Sequence, residues 1–130
     1  MSSERIAIVG GPRTGKTTYA ATLAAEDQIR HTDDLISEGW SAASESASHW
    51  FDDPEAIVIE GVAVIRALRK WLTRNPEGKP CEQLIILSRA FEALSKGQLA
   101  MTKGCQTVFT EILPTLQQRG VEIVVKDLHA

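Results

Sequence analysis

The stretch RIAIVGGPRTGKTTYAATL, residues 5–23, decides the fold because it joins a strand-like run, a glycine-rich loop and a helix-like segment. The β-branched run at 5–9 is typical of a buried strand, and 15–27 has the spacing of a helix with Ala, Leu and Tyr on its inner face. The loop that joins them, residues 10–18, matches the phosphate-binding pattern G-x-x-x-x-G-K-[ST] in the context that the pattern requires. We therefore predict that this loop binds a nucleoside triphosphate.

Each residue type in the loop has a physical task. Glycines let backbone N–H groups turn toward phosphate oxygens without a Cβ in the way, and the following helix contributes the positive end of its dipole. The Lys16 ammonium supplies positive charge to the outer phosphates, and the Thr17 hydroxyl binds Mg²⁺. The predicted phosphate-binding residues are Gly10, Gly11, Pro12, Arg13, Thr14, Gly15, Lys16, Thr17 and Thr18.

Composition limits the class of protein. The chain has 130 residues, of which 43% are hydrophobic and 24% charged, with a net charge of −3. This is typical of one globular domain, residues 1–130, and it argues against a nucleic-acid partner or a polybasic membrane surface. The two cysteines are far apart, so we expect reduced, buried thiols, and no apolar segment approaches the length of about 20 residues that crosses a membrane. A cytoplasmic protein is expected, with its oligomeric state left open.

Strand-like and helix-like segments alternate along the rest of the chain. The apolar positions of the segment 62–74 form one helical stripe at 64, 65, 68, 71 and 72, and Pro114 should end or kink the last helix. This alternation favours an α/β domain with a mainly parallel, five-stranded sheet and helices on both faces. The further predicted strands are 28–34, 56–61, 82–88 and 121–127, and the further helices are 41–51, 62–74 and 103–119.

The loop sequence GGPRTGKTT resembles the G-x-P-x-x-G-K-x-T loop of adenylate kinase and its small relatives, with Pro12 in the characteristic position. HTDDLI at 31–36 resembles the stretch after the second strand of gluconate and shikimate kinases, and IVIEG at 57–61 resembles their third strand. The spacing is also similar to that of the topology modulation proteins. This resemblance implies a three-layer P-loop NTPase fold with strand order 2-3-1-4-5 and a site at the carboxyl ends of the strands.

The resemblance also implies roles for individual residues. Asp33 would orient the acceptor hydroxyl or hold Mg²⁺ through water, and Asp34 is the alternative for the same role. Glu60 would contact Mg²⁺ through water, or the acceptor. The implied metal-binding residues are therefore Thr17, Asp33 and Glu60, and the implied catalytic residues are Lys16, Asp33 and Arg89.

Further candidates for acceptor binding lie on both sides of the third predicted strand. Arg66, one turn into the predicted helix, and Trp40 are candidates for acceptor binding, as are Asp34 and Glu60. Arg69 and Lys70 are explained more simply as the solvent face of an amphipathic helix. Trp40 and Trp50 have an equally good structural interpretation, in which they pack a poorly patterned helix onto the sheet.

The sequence departs from these kinases at two places. His31 stands where shikimate kinase has an aspartate, which argues against shikimate as the acceptor. The arginine-rich lid after the fourth strand is missing. Arg89 is the single candidate clamp, or equally a surface residue at a helix start, and 97–104 is expected to form a short mobile lid.

Three hypotheses follow from these signals, and the third of them is a structural domain with a vestigial loop, in which Lys16→Ala would change stability but no ligand response. The first is a kinase that transfers the γ-phosphate of Mg·ATP to a small acceptor such as a nucleoside or nucleotide. The second is a module that binds or slowly hydrolyses ATP and acts through a protein partner. The guanine-reading pattern N-K-x-D is absent, and the choice between ATP and GTP stays open.

Overall fold

A computed structural model describes residues 5–9, 25–32, 34–35, 39–61, 63–87 and 96–126 of the chain. Within these residues, strands and helices alternate in the order that the sequence predicts. The strands are β1 (Ile6–Val9), β2 (Ile29–His31), β3 (Val58–Glu60), β4 (Gln83–Leu87) and β5 (Glu122–Lys126). The α-helices are α1 (Trp40–Ser48), α2 (Val64–Arg74) and α3 (Lys96–Gln118), and short 3-10 helices span Glu26–Gln28 and His49–Asp52.

The five strands form one sheet in the order β2-β3-β1-β4-β5, and every neighbouring pair is parallel. This confirms the predicted α/β class and strand order. Both faces of the sheet carry buried apolar side chains, which is why the strands are nearly continuous apolar runs. The larger cluster joins one face to α1, α2 and α3. The smaller cluster, on the other face, consists of Ile8, Ile29, Val58, Ile85 and Leu87.

Helix α2 forms as its apolar spacing predicts. The five stripe residues are at most 8% exposed, and Arg66, Arg69 and Lys70 lie beside the stripe with partial exposure. A period of 3.6 residues brings such a stripe onto one side of a helix. In α2 this side packs into the larger apolar cluster. The stripe residues are Val64, Ile65, Leu68, Trp71 and Leu72.

Helix α3 differs from its prediction at its start and at Pro114. It begins at Lys96, seven residues before the predicted start at 103, and continues through Pro114 to Gln118. Proline removes the N–H that would bond to the Thr110 carbonyl, but both residues are exposed, so water can reach that carbonyl. Val108, Ile112 and Leu116 are buried on both sides of the proline and hold the helix on the core. Residues 97–104, expected to form a lid, are helical.

Smaller differences occur at other boundaries, and β2, predicted over 28–34, ends already at His31. The helix predicted over 15–27 does not extend to its last residues, since Glu26–Gln28 form a 3-10 turn that leads into β2. The helix predicted over 41–51 ends at Ser48, where a second 3-10 turn begins. Across the part of the chain that the structure describes, no helix combines the length and the apolar character needed to cross a membrane.

Candidate functional site

The carboxyl edge of the sheet brings together the ends of three strands. Ile8 of β1 is in register with Glu60 of β3, and His31 of β2 is in register with the same glutamate. The chain leaves β1 at Val9 and enters the sequence of the phosphate-loop pattern directly afterwards. The predicted loop therefore starts one strand away from Glu60, at the edge where open α/β sheets bind their ligands.

Glu60 and His31 form a close pair at this edge. Nδ1 of His31 lies 2.5 Å from Oε1 of Glu60, and the side chains are 18% and 1% exposed, respectively. An ionised carboxylate only accepts hydrogen bonds, so with Glu60 ionised Nδ1 donates and the acceptor nitrogen of a neutral ring is Nε2. The pair fixes the direction of a buried carboxylate beside the start of the loop.

Two contacts hold the turn between β3 and α2 in place. The buried hydroxyl of Thr32 accepts a hydrogen bond from the Ala63 backbone N–H at 3.2 Å. The N–H of Gly61 donates to the Ile8 carbonyl at 3.3 Å, and its φ of 128° lies in a region that favours glycine. As a result, only three residues separate β3 from α2, and the first turn of α2 stays at the carboxyl edge.

The acceptor candidates of the sequence occupy different positions. Arg66 is half-buried in the first turn of α2, and its guanidinium approaches Gly104 of α3 closely enough that an added methyl group would overlap Nη2. Asp34 is exposed, and Trp40 is the first residue of α1. The predicted residues 10–18, Asp33 and Arg89 lie outside the described residues.

Three further side chains have structural partners. Arg69 forms an ion pair with Glu111 at 3.5 Å, which supports its interpretation as a helix-face residue. Trp50 packs against the core cluster beside the sheet, as in the structural interpretation of this segment. His49 is 61% exposed and lies 3.5 Å from Glu45.

Sequence reasoning missed His31 as a partner of Glu60 and used it only as a departure from shikimate kinase. Glu60 directly follows the apolar run 56–59, but His31 stands inside the weak predicted strand 28–34, so the sequence marks only one member of the pair. The side-by-side placement, however, depends on the register of β2 against β3, which the sequence does not specify.

The chemistry of Glu60 fits a site for nucleotide-bound Mg²⁺. Magnesium prefers oxygen ligands and is usually bound by one or two carboxylates together with phosphates and water. Among the residues that the structure describes, no three His, Cys, Asp or Glu side chains form a group that could hold a metal ion. Glu60 therefore supplies one buried carboxylate of the kind that such a site uses.

The opposite, amino edge of the sheet is held by Arg5. Its Nε donates to the Ala56 carbonyl at 2.9 Å, and its two terminal nitrogens donate to the carbonyls of Phe51, Asp53 and Pro80. Burial lowers the pKa of Arg5, and burial raises the pKa of the free thiol of Cys81 to about 12. Cys81 is thus a buried, protonated thiol, as expected, and a poor nucleophile.

Comparisons with known proteins identify no family for the chain. Neither a scan against protein-family models nor a search of curated proteins found a match for the chain.

Proposed function

We propose that this chain is a small P-loop kinase with the three-layer P-loop NTPase fold, which binds Mg·ATP and transfers the γ-phosphate to a small acceptor. The observation that carries the proposal is the common edge of the sheet. The loop pattern follows β1 directly, and β1 pairs with β3, whose last residue is the buried Glu60. Ligands of open parallel sheets bind at this edge, at the topological switch point where the strand order reverses.

In this proposal the chain's own residues position the reacting groups and neutralise the negative charge of the phosphates. The N–H groups of the loop and the Lys16 ammonium hold the phosphates. Thr17 and, through water, Asp33 and Glu60 would hold Mg²⁺, which when bound offsets phosphate charge. Asp33 orients the acceptor hydroxyl, and Arg89 stabilises the charge of the transferring group.

The transfer step needs little covalent chemistry from the protein. The bond between the γ-phosphorus and the β–γ bridging oxygen breaks, a bond to the acceptor oxygen forms, and ADP leaves. The acceptor's proton passes to the carboxylate that orients it, or from there to water. Accurate placement of the reacting groups is therefore the main task, and the His31–Glu60 pair supports it by fixing one carboxylate at the edge.

The experiment measures ADP release from Mg·ATP, alone and with a panel of nucleosides, nucleotides and sugar acids. Lys16→Ala serves as the blank because it removes the charge that the loop offers to the phosphates. We expect one acceptor class to raise turnover by orders of magnitude in the native chain and not in the blank. The most informative further variant is Glu60→Gln, with the exposed Glu45→Gln as its control.

Two other outcomes would contradict the kinase. Slow turnover that no acceptor increases, but that Lys16→Ala abolishes, would support the ATP-binding module that acts through a partner. Absence of any Mg·ATP binding in the native chain would overturn both functions.

A further inference from the structure

The two outer strands of the sheet, β2 and β5, are different kinds of edge. β2 has three residues, and a very short edge strand is one of the means by which proteins prevent further pairing. β5 has five residues, Glu122–Lys126, and among the residues that the structure describes no strand lies beyond it. Its outer side therefore offers backbone N–H and C=O groups to another strand.

The hydrogen bonds of β5 show which of its residues face outward. The Glu122 N–H donates to the Glu82 carbonyl, just before β4, at 3.0 Å. Because alternate residues of a strand bond to the same neighbour, positions 122, 124 and 126 bond toward β4. The N–H and C=O groups of Ile123 and Val125 point away from β4, and these are the groups that a further strand would bond to.

The side chains of β5 leave apolar surface at this edge. Among the described residues, Val125 is the most exposed large hydrophobic side chain, at 67%. Ile123, two residues earlier on the same face, packs against the larger apolar cluster while staying partly exposed, and Val124 does the same against the smaller cluster on the other face. A strand with apolar residues at the matching positions would cover Val125.

The charges at the two ends of β5 identify that strand as a second copy of β5. Glu122 begins the strand and Lys126 ends it. When two copies lie antiparallel about Val124, position 122 of each copy stands opposite position 126 of the other, which pairs opposite charges at both ends. A shift of the register by two residues would lose both charge pairs, and a parallel arrangement in register would place like charges together.

We propose that β5 is a dimerisation edge, at which two copies of this chain pair antiparallel about a twofold axis and join their five-stranded sheets into one. Ile123 of each copy exchanges N–H···O=C bonds with Val125 of the other, and the two side chains cover each other on one face. Glu122 already accepts a hydrogen bond from Nε2 of Gln83 at 2.5 Å, and a carboxylate can accept a further one from a lysine. The same surface serves both copies, so the interface is isologous.

Self-association is measured by sedimentation velocity of the full chain without ligand, from about 1 µM to about 1 mM, because so short an interface predicts a weak dimer. We expect the mass to rise from monomer to dimer across this range. Glu122→Lys and Lys126→Glu each place like charges at both ends of the pairing and should raise the Kd at least about tenfold. Lys103→Glu, an exposed change on α3 that alters the net charge as Lys126→Glu does, should keep the Kd within about threefold.

An equimolar mixture of the two weakened variants tests the antiparallel orientation. A Glu122→Lys chain paired with a Lys126→Glu chain again has opposite charges at both ends. We therefore expect the mixture to dimerise with a Kd within about threefold of that of the native chain, although each variant alone stays largely monomeric.

Hydrogen exchange of the native chain tests which residues pair. At concentrations where about nine-tenths of the chain is dimeric, the backbone amides of Ile123 and Val125 should exchange about tenfold more slowly than in the monomer. The Val124 amide, which bonds toward β4 in both states, should change much less.

Four results would overturn the inference. These are a native chain that stays monomeric over the whole range, a dimer whose Kd neither charge reversal changes, a mixture of the variants that stays monomeric, and a dimer in which the amides of Ile123 and Val125 gain no protection. A native chain that pairs only with a strand of another protein gives the first of these results. None of the measurements uses a nucleotide, so they test β5 separately from the proposed kinase.

Discussion

Glu60 is a buried carboxylate, and Nδ1 of His31, which lies 2.5 Å from its Oε1, donates a hydrogen bond to it. Replacing His31 with alanine removes this donor while the carboxylate stays buried. Leaving a buried polar group with a lost hydrogen bond costs about 1–3 kcal/mol. We therefore expect His31→Ala to lower the free energy of unfolding by about that amount, measured by urea denaturation at neutral pH.

The chain contains a matched control for this change. His49 also lies next to a carboxylate, that of Glu45, but the two side chains are 61% and 56% exposed. An exposed pair of this kind contributes little, and His49→Ala should change the free energy of unfolding by less than about 0.5 kcal/mol. Equal effects of the two substitutions would show that the His31–Glu60 contact does not stabilise the fold.

Cys81 makes stability depend on pH in the alkaline range. Burial raises the pKa of its thiol from 9.0 to about 12, and the charge of Arg5 opposes this shift only in part. Between these two values the unfolded chain has lost the thiol proton and the folded chain has kept it, so stability is complete below pH 9 and falls as the pH rises.

Cys81→Ala isolates this effect because all other groups titrate in both chains. Above about pH 9.5 we expect the native chain to lose up to about 1.4 kcal/mol more per pH unit than the variant. The measurement is urea denaturation at a series of pH values from about 8 to 11. Parallel curves for the two chains would contradict a raised pKa of the thiol.

At the scale of single elements, helix α3 has a local weakness at Pro114, where one backbone hydrogen bond is missing inside the helix. Pro114→Ala restores the N–H that can bond to the Thr110 carbonyl. We expect this substitution to raise the free energy of unfolding by about 1–3 kcal/mol, measured by urea denaturation. Gln117→Ala, an exposed change on the same helix, should alter it by less than about 0.5 kcal/mol. A destabilised Pro114→Ala would mean that the proline is held by contacts specific to its ring.

The two helices that flank the candidate site show what the sequence can and cannot predict. Helix α2 was predictable because its apolar residues recur with the helical period and all of them reach the core. The start of α3 was not, since the residues around Gly97 and Gly104 have little apolar pattern and favour other structures locally. The buried residues Val108, Ile112 and Leu116 stabilise that helix, and their effect is tertiary. The His31–Glu60 pair was hidden for a similar reason, because it depends on strand register.

At the scale of the whole molecule, the two edges of the sheet carry different tasks. The carboxyl edge holds Glu60, His31 and the first turn of α2. At the amino edge, Arg5 connects the segment before β1 to the segments before β3 and β4. Hence we expect substitutions at the amino edge to change stability while leaving the binding properties of the carboxyl edge intact.

Arg5→Lys tests this division of tasks. The guanidinium of Arg5 bonds to four carbonyls from two separate segments, and a lysine ammonium lacks the planar fork that reaches them together. We expect a loss of about 2–4 kcal/mol in the free energy of unfolding. Arg30→Lys, which changes a partly exposed arginine near Asp53, should cost less than about 1 kcal/mol. On the proposed function, and below its lowered unfolding temperature, the Arg5→Lys chain should bind Mg·ATP with the Kd of the native chain, because the stabilising contacts that it loses lie at the far edge of the sheet. A Kd that rises together with the loss of stability would mean that the two edges are coupled through the strands.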